Sequence, residues 1–289
     1  MTWRNAPYQT RFGPGFYTEV AGHPLADSAA LESYRAPEPD RDDLYADAAR
    51  AIAAYKSEYY IVGVTVCTIF ETAWALRGLE PMLADFVESP ELADRILDIP
   101  FRYHLTAAKH LVEIGVDMIW TGDDVGAQHG MLISPRTWRR FLKPRMAEFY
   151  STLKGINPAL KIAYHSDGNI EPIIPELIEI GMDVLNPVQS SCPGMDPVSL
   201  KKEFGGAITF MGGLDTQELL PHSSADQVRR ETARLIEAMT SEHGGYILAA
   251  SHTIPPETPD ENIFAMYAAA GISRQEIFDN AATYRARST

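Results

Sequence analysis

From Tyr59 onward the chain alternates short apolar runs with longer segments in which apolar residues recur at helical spacing. YYIVGVTV (59–66) is rich in β-branched and aromatic residues and predicts a buried strand. Ser89 and Pro90 predict the start of a long helix, Ser as N-cap and Pro in the first turn, running to about Gly115. DMIWTG (117–122) predicts the next strand, and Ser134-Pro135 opens another helix in the same way. LKIAYH (160–165) follows as a strand, then a helix from Glu171 to Ile180 stopped by Gly181. DVLNP (183–187) is the fourth strand, and Asp196-Pro197 caps a helix ending at Gly205. AITFMGG (207–213) is the fifth. A capping box, Ser224 to Gln227, opens a helix that stops at Gly244-Gly245. YILAAS (246–251) is the sixth strand, and Thr258–Glu261 and Ser273–Glu276 start two closing helices.

The first 58 residues break this rhythm. Gly13, Pro14, Gly15, Pro24, Pro37 and Pro39 punctuate them, and no strand is predicted there; Asp40 to Lys56 has helical spacing. The expected organisation is an irregular segment, 1–58, packed on a barrel domain, 59–289. The strands are continuously apolar, as in a parallel sheet covered on both faces. Strands alternating with helices make an α/β protein, either a TIM barrel or an open doubly wound sheet. No GxGxxG or GxxxxGK[ST] follows a strand, which counts against the nucleotide-binding versions. A (β/α)8 barrel needs eight strands against the six counted here. Either two irregular strands lie within 1–58, or the N-terminal part of the barrel is atypical or truncated.

Composition narrows the picture. At 289 residues the chain can bury one large core, and a net charge of −14 leaves no basic footprint for nucleic acid. The same charge disfavours a highly anionic substrate. The two cysteines, Cys67 and Cys192, are too few for a disulfide framework, so a reducing, cytoplasmic location is expected. There is no apolar signal-peptide core at the N-terminus and no apolar run of membrane-spanning length.

In a barrel, active sites form where strands end and helices begin. Those positions here are polar. They hold Glu71 and Trp74 after the first strand, Asp123, Asp124 and Gln128 after the second, and His165 and Asp167 after the third. Asn186 and Gln189 follow the fourth, with Cys192 beyond; Asp215 follows the fifth and His252 the sixth. Such convergence suits an enzyme with a small-molecule substrate. Asp123 and Asp215 also suit helix caps, a role that His165 and His252 would fill poorly. Two imidazoles with Asp167 can hold a divalent metal, or act without one as hydrogen-bond donors or a general acid. Asp123 and Asp124, being adjacent, should point differently, one as a base or substrate acceptor and the other as a cap or bridge. Helical spacing puts Glu71 and Trp74 on one face. His104 and His110 fall inside the long helix, His243 in a helix's last turn, and His129 beside the Asp123-Asp124 loop. Cys67 reads as a small buried hydrophobe and Cys192 as loop packing.

HSDGNIEPIIPELIEIGMDVLNPVQ, MDPVSLKKEFGGAITFMGGLDTQELLP and GGYILAASHTIPPETPDENIFAM, in that order, resemble the uroporphyrinogen decarboxylase superfamily over roughly residues 59 to 270. The resemblance implies a (β/α)8 barrel. In the decarboxylases an N-terminal arginine-rich segment holds the tetrapyrrole. Arg4 and Arg11 stand in no such motif, while His252 matches a histidine used near the last strand. In the corrinoid-linked methyltransferases a His-x-Cys pair and a later Cys bind zinc. Here His165 matches the first ligand, Asp167 stands in place of the first Cys and His252 in place of the second. The resemblance therefore implies a divalent metal, zinc being the expected one, and transfer of a methyl group from a small methylated substrate, such as a methoxy compound, to a corrinoid carried by a partner protein. Asp123 or Asp124, together with Gln189, would orient the substrate. The alternative is a metal-free lyase that decarboxylates a carboxylated heterocycle, with His252 and an aspartate doing the chemistry. If strands are missing, an open edge would invite a homodimer.

Overall fold

The computed structural model describes residues 1–10, 13–241 and 245–288. The chain divides into two compact units, residues 1–184 and 185–289.

The first unit opens with an antiparallel hairpin, β1 (Thr2–Thr10) and β2 (Gly13–Gly22), paired from Thr2–Gly22 to Thr10–Gly13. The expectation of no strand before residue 58 is thus corrected. Gly13, Pro14 and Gly15, which suggested irregular chain, lie within β2, whose pairing is to β1, where a Pro can face outward without breaking a ladder; Pro24, Pro37 and Pro39 lie outside the strands. The hairpin strands are not the missing barrel strands. A 3-10 turn at Asp42–Tyr45 leads into helix α1 (Ala46–Tyr55), in the span predicted to be helical.

The parallel core of this unit is β3 (Val62–Val66), followed by α2 (Phe70–Arg77), α3 (Leu79–Glu88) and α4 (Pro90–Glu113), then β4 (Met118–Gly122). Two-residue strands β5 (Gly126–Ala127) and β6 (Gly130–Met131) make a small hairpin before α5 (Pro135–Phe141), α6 (Lys143–Ile156) and β7 (Lys161–His165). Strand β4 pairs with β3 on one side and β7 on the other, in parallel, so Val66, Gly122 and His165 end level. Beyond β7, the residues Glu171–Ile173 and α7 (Ile174–Glu179) fill the predicted helix. Trp138, Phe149, Tyr150, Ile96 and Leu97 are buried beneath the strands. Arg145 clamps α6 to α4 through Asp98 at 2.7 Å and Asp94 at 3.0 Å.

Two local expectations change here. Ser89 precedes α4 but makes no side-chain cap, whereas Ser134 accepts from the Thr137 amide at 3.0 Å. The expectation of sheet faces covered on both sides also fails at β3. Gly63 and Thr65 are buried, but Val64 is 57% exposed and Val66 38%. Among the described residues this strand is the edge of its sheet, and the face that carries Val64 and Val66 stays open.

The second unit carries β8 (Val184–Val188), α8 (Pro197–Phe204), β9 (Thr209–Leu214), α9 (Leu219–His222), α10 (Ala225–Thr240), β10 (Tyr246–Ala250), α11 (Asp260–Ala269) and α12 (Arg274–Ser288). β9 and β10 are parallel, Phe210 opposite Tyr246. Leu214, Leu220, Val228 and Met266 form a buried cluster. Asp196 and Ser224 cap α8 and α10 as predicted, accepting from the Ser199 and Gln227 amides. Thr258 does not cap α11; Pro259 occupies that position. His243 and Gly244 lie outside the described residues. Among the described residues no helix is long and apolar enough to cross a membrane.

Candidate functional site

At the C-terminal edge of the first unit's strands, a chain of polar contacts joins three consecutive strand ends. It starts with Asp123. Its carboxylate accepts from the Ile69 amide at 3.0 Å and the Glu71 amide at 2.9 Å. Helix α2 has no cap from its own preceding side chain, so Asp123, from the neighbouring strand, fills that role. Asp123 is 2% exposed, and burial pushes its carboxyl well above the usual carboxylate range. The Tyr164 hydroxyl donates to the Asp123 carbonyl at 3.0 Å.

Glu71 is set in place by that cap. One of its oxygens accepts from the Asp124 amide at 3.2 Å. Desolvation, with the nearby Asp124 charge, pushes Glu71 up to about 7. Asp124 in turn accepts from the Asp167 amide at 2.8 Å. His165 closes the series: its Nε2 lies 3.8 Å from an Asp124 oxygen and 3.8 Å from an Asp167 oxygen.

Close backbone approach makes this possible. A Cβ on Gly122 would sit 2.6 Å from the His165 carbonyl oxygen, and one on Gly126 would sit 2.3 Å from the Asp167 carbonyl oxygen. Only glycine lets the two loops nest so closely. The Ser166 hydroxyl then accepts from the Val125 amide at 3.1 Å, and Asn169 donates its amide to the Ala127 carbonyl at 3.0 Å.

The first unit therefore brings together Glu71, Asp123, Asp124, His165 and Asp167. Gln128 sits exposed in the turn between β5 and β6, and Trp74 faces a groove that Glu71 also lines. Cys67 departs from its expected buried role. The residue as a whole is exposed and holds a φ of 59°, while partial desolvation of its thiol and the neighbouring Glu71 carboxylate push the thiol up to about 12. It contributes a thiol, not a thiolate. The contacts of Thr68 were not foreseen: its hydroxyl accepts from the Gly122 amide at 3.0 Å and ties β3's end to β4. The signal was the TGDDVG run, whose glycines bracket both aspartates.

In the second unit the singled-out residues also stand at strand ends. Asn186 is 5% exposed on β8, and Gln189 follows it, with the buried Cys192 thiol 3.8 Å from the Gln189 side-chain oxygen Oε1. Asp215, after β9, accepts from the amides of Gln217, Glu218 and Leu219, the last at 2.9 Å. It caps the turn into α9. His252 is exposed, two residues past β10.

For a metal, the donor set in the first unit fits. A separation of 3.8 Å between His165 Nε2 and the Asp167 oxygen is too long for a hydrogen bond. It is near the ~3.4 Å between two ligand atoms on one tetrahedral ion with bonds of about 2.1 Å. Imidazole with carboxylate is a set that zinc and iron both accept.

This is an α/β strand-end site of the kind that barrel enzymes build. The chain belongs to the uroporphyrinogen decarboxylase (URO-D) family, which matches residues 9–271. The match reaches further towards the N-terminus than the motifs from 59 onward had indicated. A methylcobamide:CoM methyltransferase, MtaA of Methanosarcina barkeri, is 27% identical over 183 residues, 63% of this chain and 50% of that protein. A uroporphyrinogen decarboxylase of Thermus thermophilus is 30% identical over 156 residues, 52% of this chain and 40% of that one. The chain thus spans about half or less of the length of these relatives. A solved methyltransferase from Methanosarcina mazei superposes with a TM-score of 0.67 at 24% identity, covering 89% of this chain and 71% of that one. Family and fold together give an α/β TIM barrel.

Proposed function

We propose that this chain is an enzyme for metal-dependent methyl transfer, moving a methyl group from a small methylated substrate, such as a methoxy compound, to a corrinoid carried by a partner protein. The observation that carries the reading is the placement of His165 Nε2 at 3.8 Å from both the Asp167 and Asp124 carboxylates. The ligand atoms of His165 and Asp167 fall within 4.8 Å of each other, and His252 is the proposed third ligand. The relative named for methylcobamide and CoM supports the corrinoid partner.

When bound, the metal supplies Lewis acidity at a substrate oxygen. The remaining work belongs to the chain. Asp124 holds the Asp167 amide with one oxygen and presents the rest of its carboxylate to the substrate. Glu71, poised to gain or lose a proton near neutral pH, takes or returns a proton at its carboxyl oxygen. Asp123 serves as a positioning residue, since its carboxylate is committed to two backbone amides. Trp74, Gln128, Asn186, Gln189 and Asp215 complete the proposed substrate-binding set.

The test is elemental analysis of protein purified without chelator, with His165→Ala and His252→Ala alongside. The expected result is close to one zinc per parent chain, lost in both variants. No metal in any preparation overturns the reading and favours the metal-free decarboxylase, with His252 as proton donor.

A further inference from the structure

Parallel pairing puts level residues of β3, β4 and β7 on the same face of the sheet, and residues two apart along a strand share that face. Val66, Gly122 and His165 are level; two residues earlier, so are Val64, Trp120 and Ala163. The alternate residues, among them Ile119, Thr121, Ile162 and Tyr164, are buried on the other face, where Thr121 meets the Tyr150 hydroxyl of α6 at 3.1 Å. The face that carries His165 is therefore turned away from that helix.

Below His165 this face is apolar. Val64 and Val66 are exposed, and Trp120 is partly exposed with its ring 6.4 Å from the His165 ring. Ala163 is small and buried. The Trp120 indole N–H has no hydrogen-bond partner, so what this side chain offers is an aromatic surface. Lys161, the charged residue of these three strands, stands four residues before His165, about 13 Å away at ~3.3 Å per residue. Asp183 pairs with it at 3.4 Å. Three strands about 4.8 Å apart make a shelf about 10 Å wide, room for a ring-sized group. A body that carries hydroxyls or charge would lose hydration against Val64, Val66 and Trp120 and regain no partner there. An apolar body removes water from both surfaces.

We propose that Val64, Val66 and Trp120 form the subsite for the body of the substrate, and that this body is apolar and ring-sized, with its methyl-bearing oxygen at the His165 end. The inference rests on the methyl-transfer reading for the role of that oxygen. It names the substrate class, a methyl ether of an apolar group, and makes Trp120 a specificity-determining residue.

The experiment is an NMR titration of chelator-treated parent protein, with nitrogen-labelled tryptophan, using two probes that share a methoxy group: methoxybenzene and methoxyethanol. Methoxybenzene should bind at least about tenfold more tightly, as burial of a ring against an indole implies. It should also shift the Trp120 indole resonance, assigned by its loss in Trp120→Phe. Trp120→Ala and Val64→Ser should each weaken methoxybenzene, while Trp120→Phe should keep most of the affinity, since it retains an aromatic face and loses no hydrogen bond. Val64 is exposed, so Val64→Ser leaves the core intact and carries the test if Trp120→Ala does not fold. Equal binding of both probes, no binding of methoxybenzene, or unchanged affinity in Val64→Ser would each overturn the proposal. So would a dimer that Val64→Ser splits, which would give the open face to a second copy of the chain. The assay needs no metal. Methoxybenzene bound at Trp120 in a chain that holds no zinc would leave the apolar subsite standing and sink only the methyl-transfer reading; zinc without methoxybenzene binding would sink the subsite alone.

Discussion

Asp123 and Asp124 are neighbours in the chain, yet their carboxylates serve different loops. Side chains of successive extended residues point to opposite sides. Asp123 turns inward to cap α2, and Asp124 turns to the Asp167 amide. Glu71 stands between them and carries the consequence for pH. Its carboxyl, at about 7 in the folded chain, has an ordinary value of 4.5, so between those values the folded state holds a proton that the unfolded state has released. The stabilisation is full below pH 4.5 and is lost as pH rises through 7. In chelated protein, urea unfolding at pH 5 and pH 8 should therefore show parent stability falling relative to Glu71→Gln. A parent and variant that move in parallel would contradict this account of Glu71.

At the scale of elements, the site depends on how tightly the loop after β4 lies against the loop after β7. Gly126 is the contact point, with 2.3 Å between a built Cβ and the Asp167 carbonyl oxygen. Backbone cannot yield as a flexible side chain can. Gly126→Ala should therefore displace the His165–Asp167 turn, costing about 2 kcal/mol by overpacking, and weaken zinc binding. Gly130→Ala, in the same small hairpin with open space around it, should change neither. Thermal melts and zinc titration of the two variants make the comparison.

For the whole molecule, metal binding and stability are linked. A ligand that binds only the folded chain stabilises it by about 2.7 kcal/mol at one hundred times its Kd. Zinc should raise the melting temperature of the parent, and His165→Ala should abolish the rise. The same rise in both proteins would place zinc elsewhere on the acidic surface, whose net charge is −14.

Much of this architecture was legible in local patterns. Six strands, most of the helices and the caps at Ser134, Asp196 and Ser224 followed from short-range rules, because a cap or an apolar run is decided within a few residues. The polar strand ends were legible for the same reason: strands end where apolar runs end. What sequence could not settle was any arrangement that depends on residues far apart in the chain. The N-terminal hairpin was not legible in the sequence because glycine and proline are permitted on strands that pair only with each other. Asp123's commitment to amides 54 and 52 residues away, the nesting of Gly126 on Asp167 and the open face of β3 exist only once the strands lie side by side. Sequence by itself determined which chemical groups stand at the strand ends. The tertiary structure decided which of them are spent on holding the backbone and which remain to meet a ligand, because burial and long-range hydrogen bonding set that division.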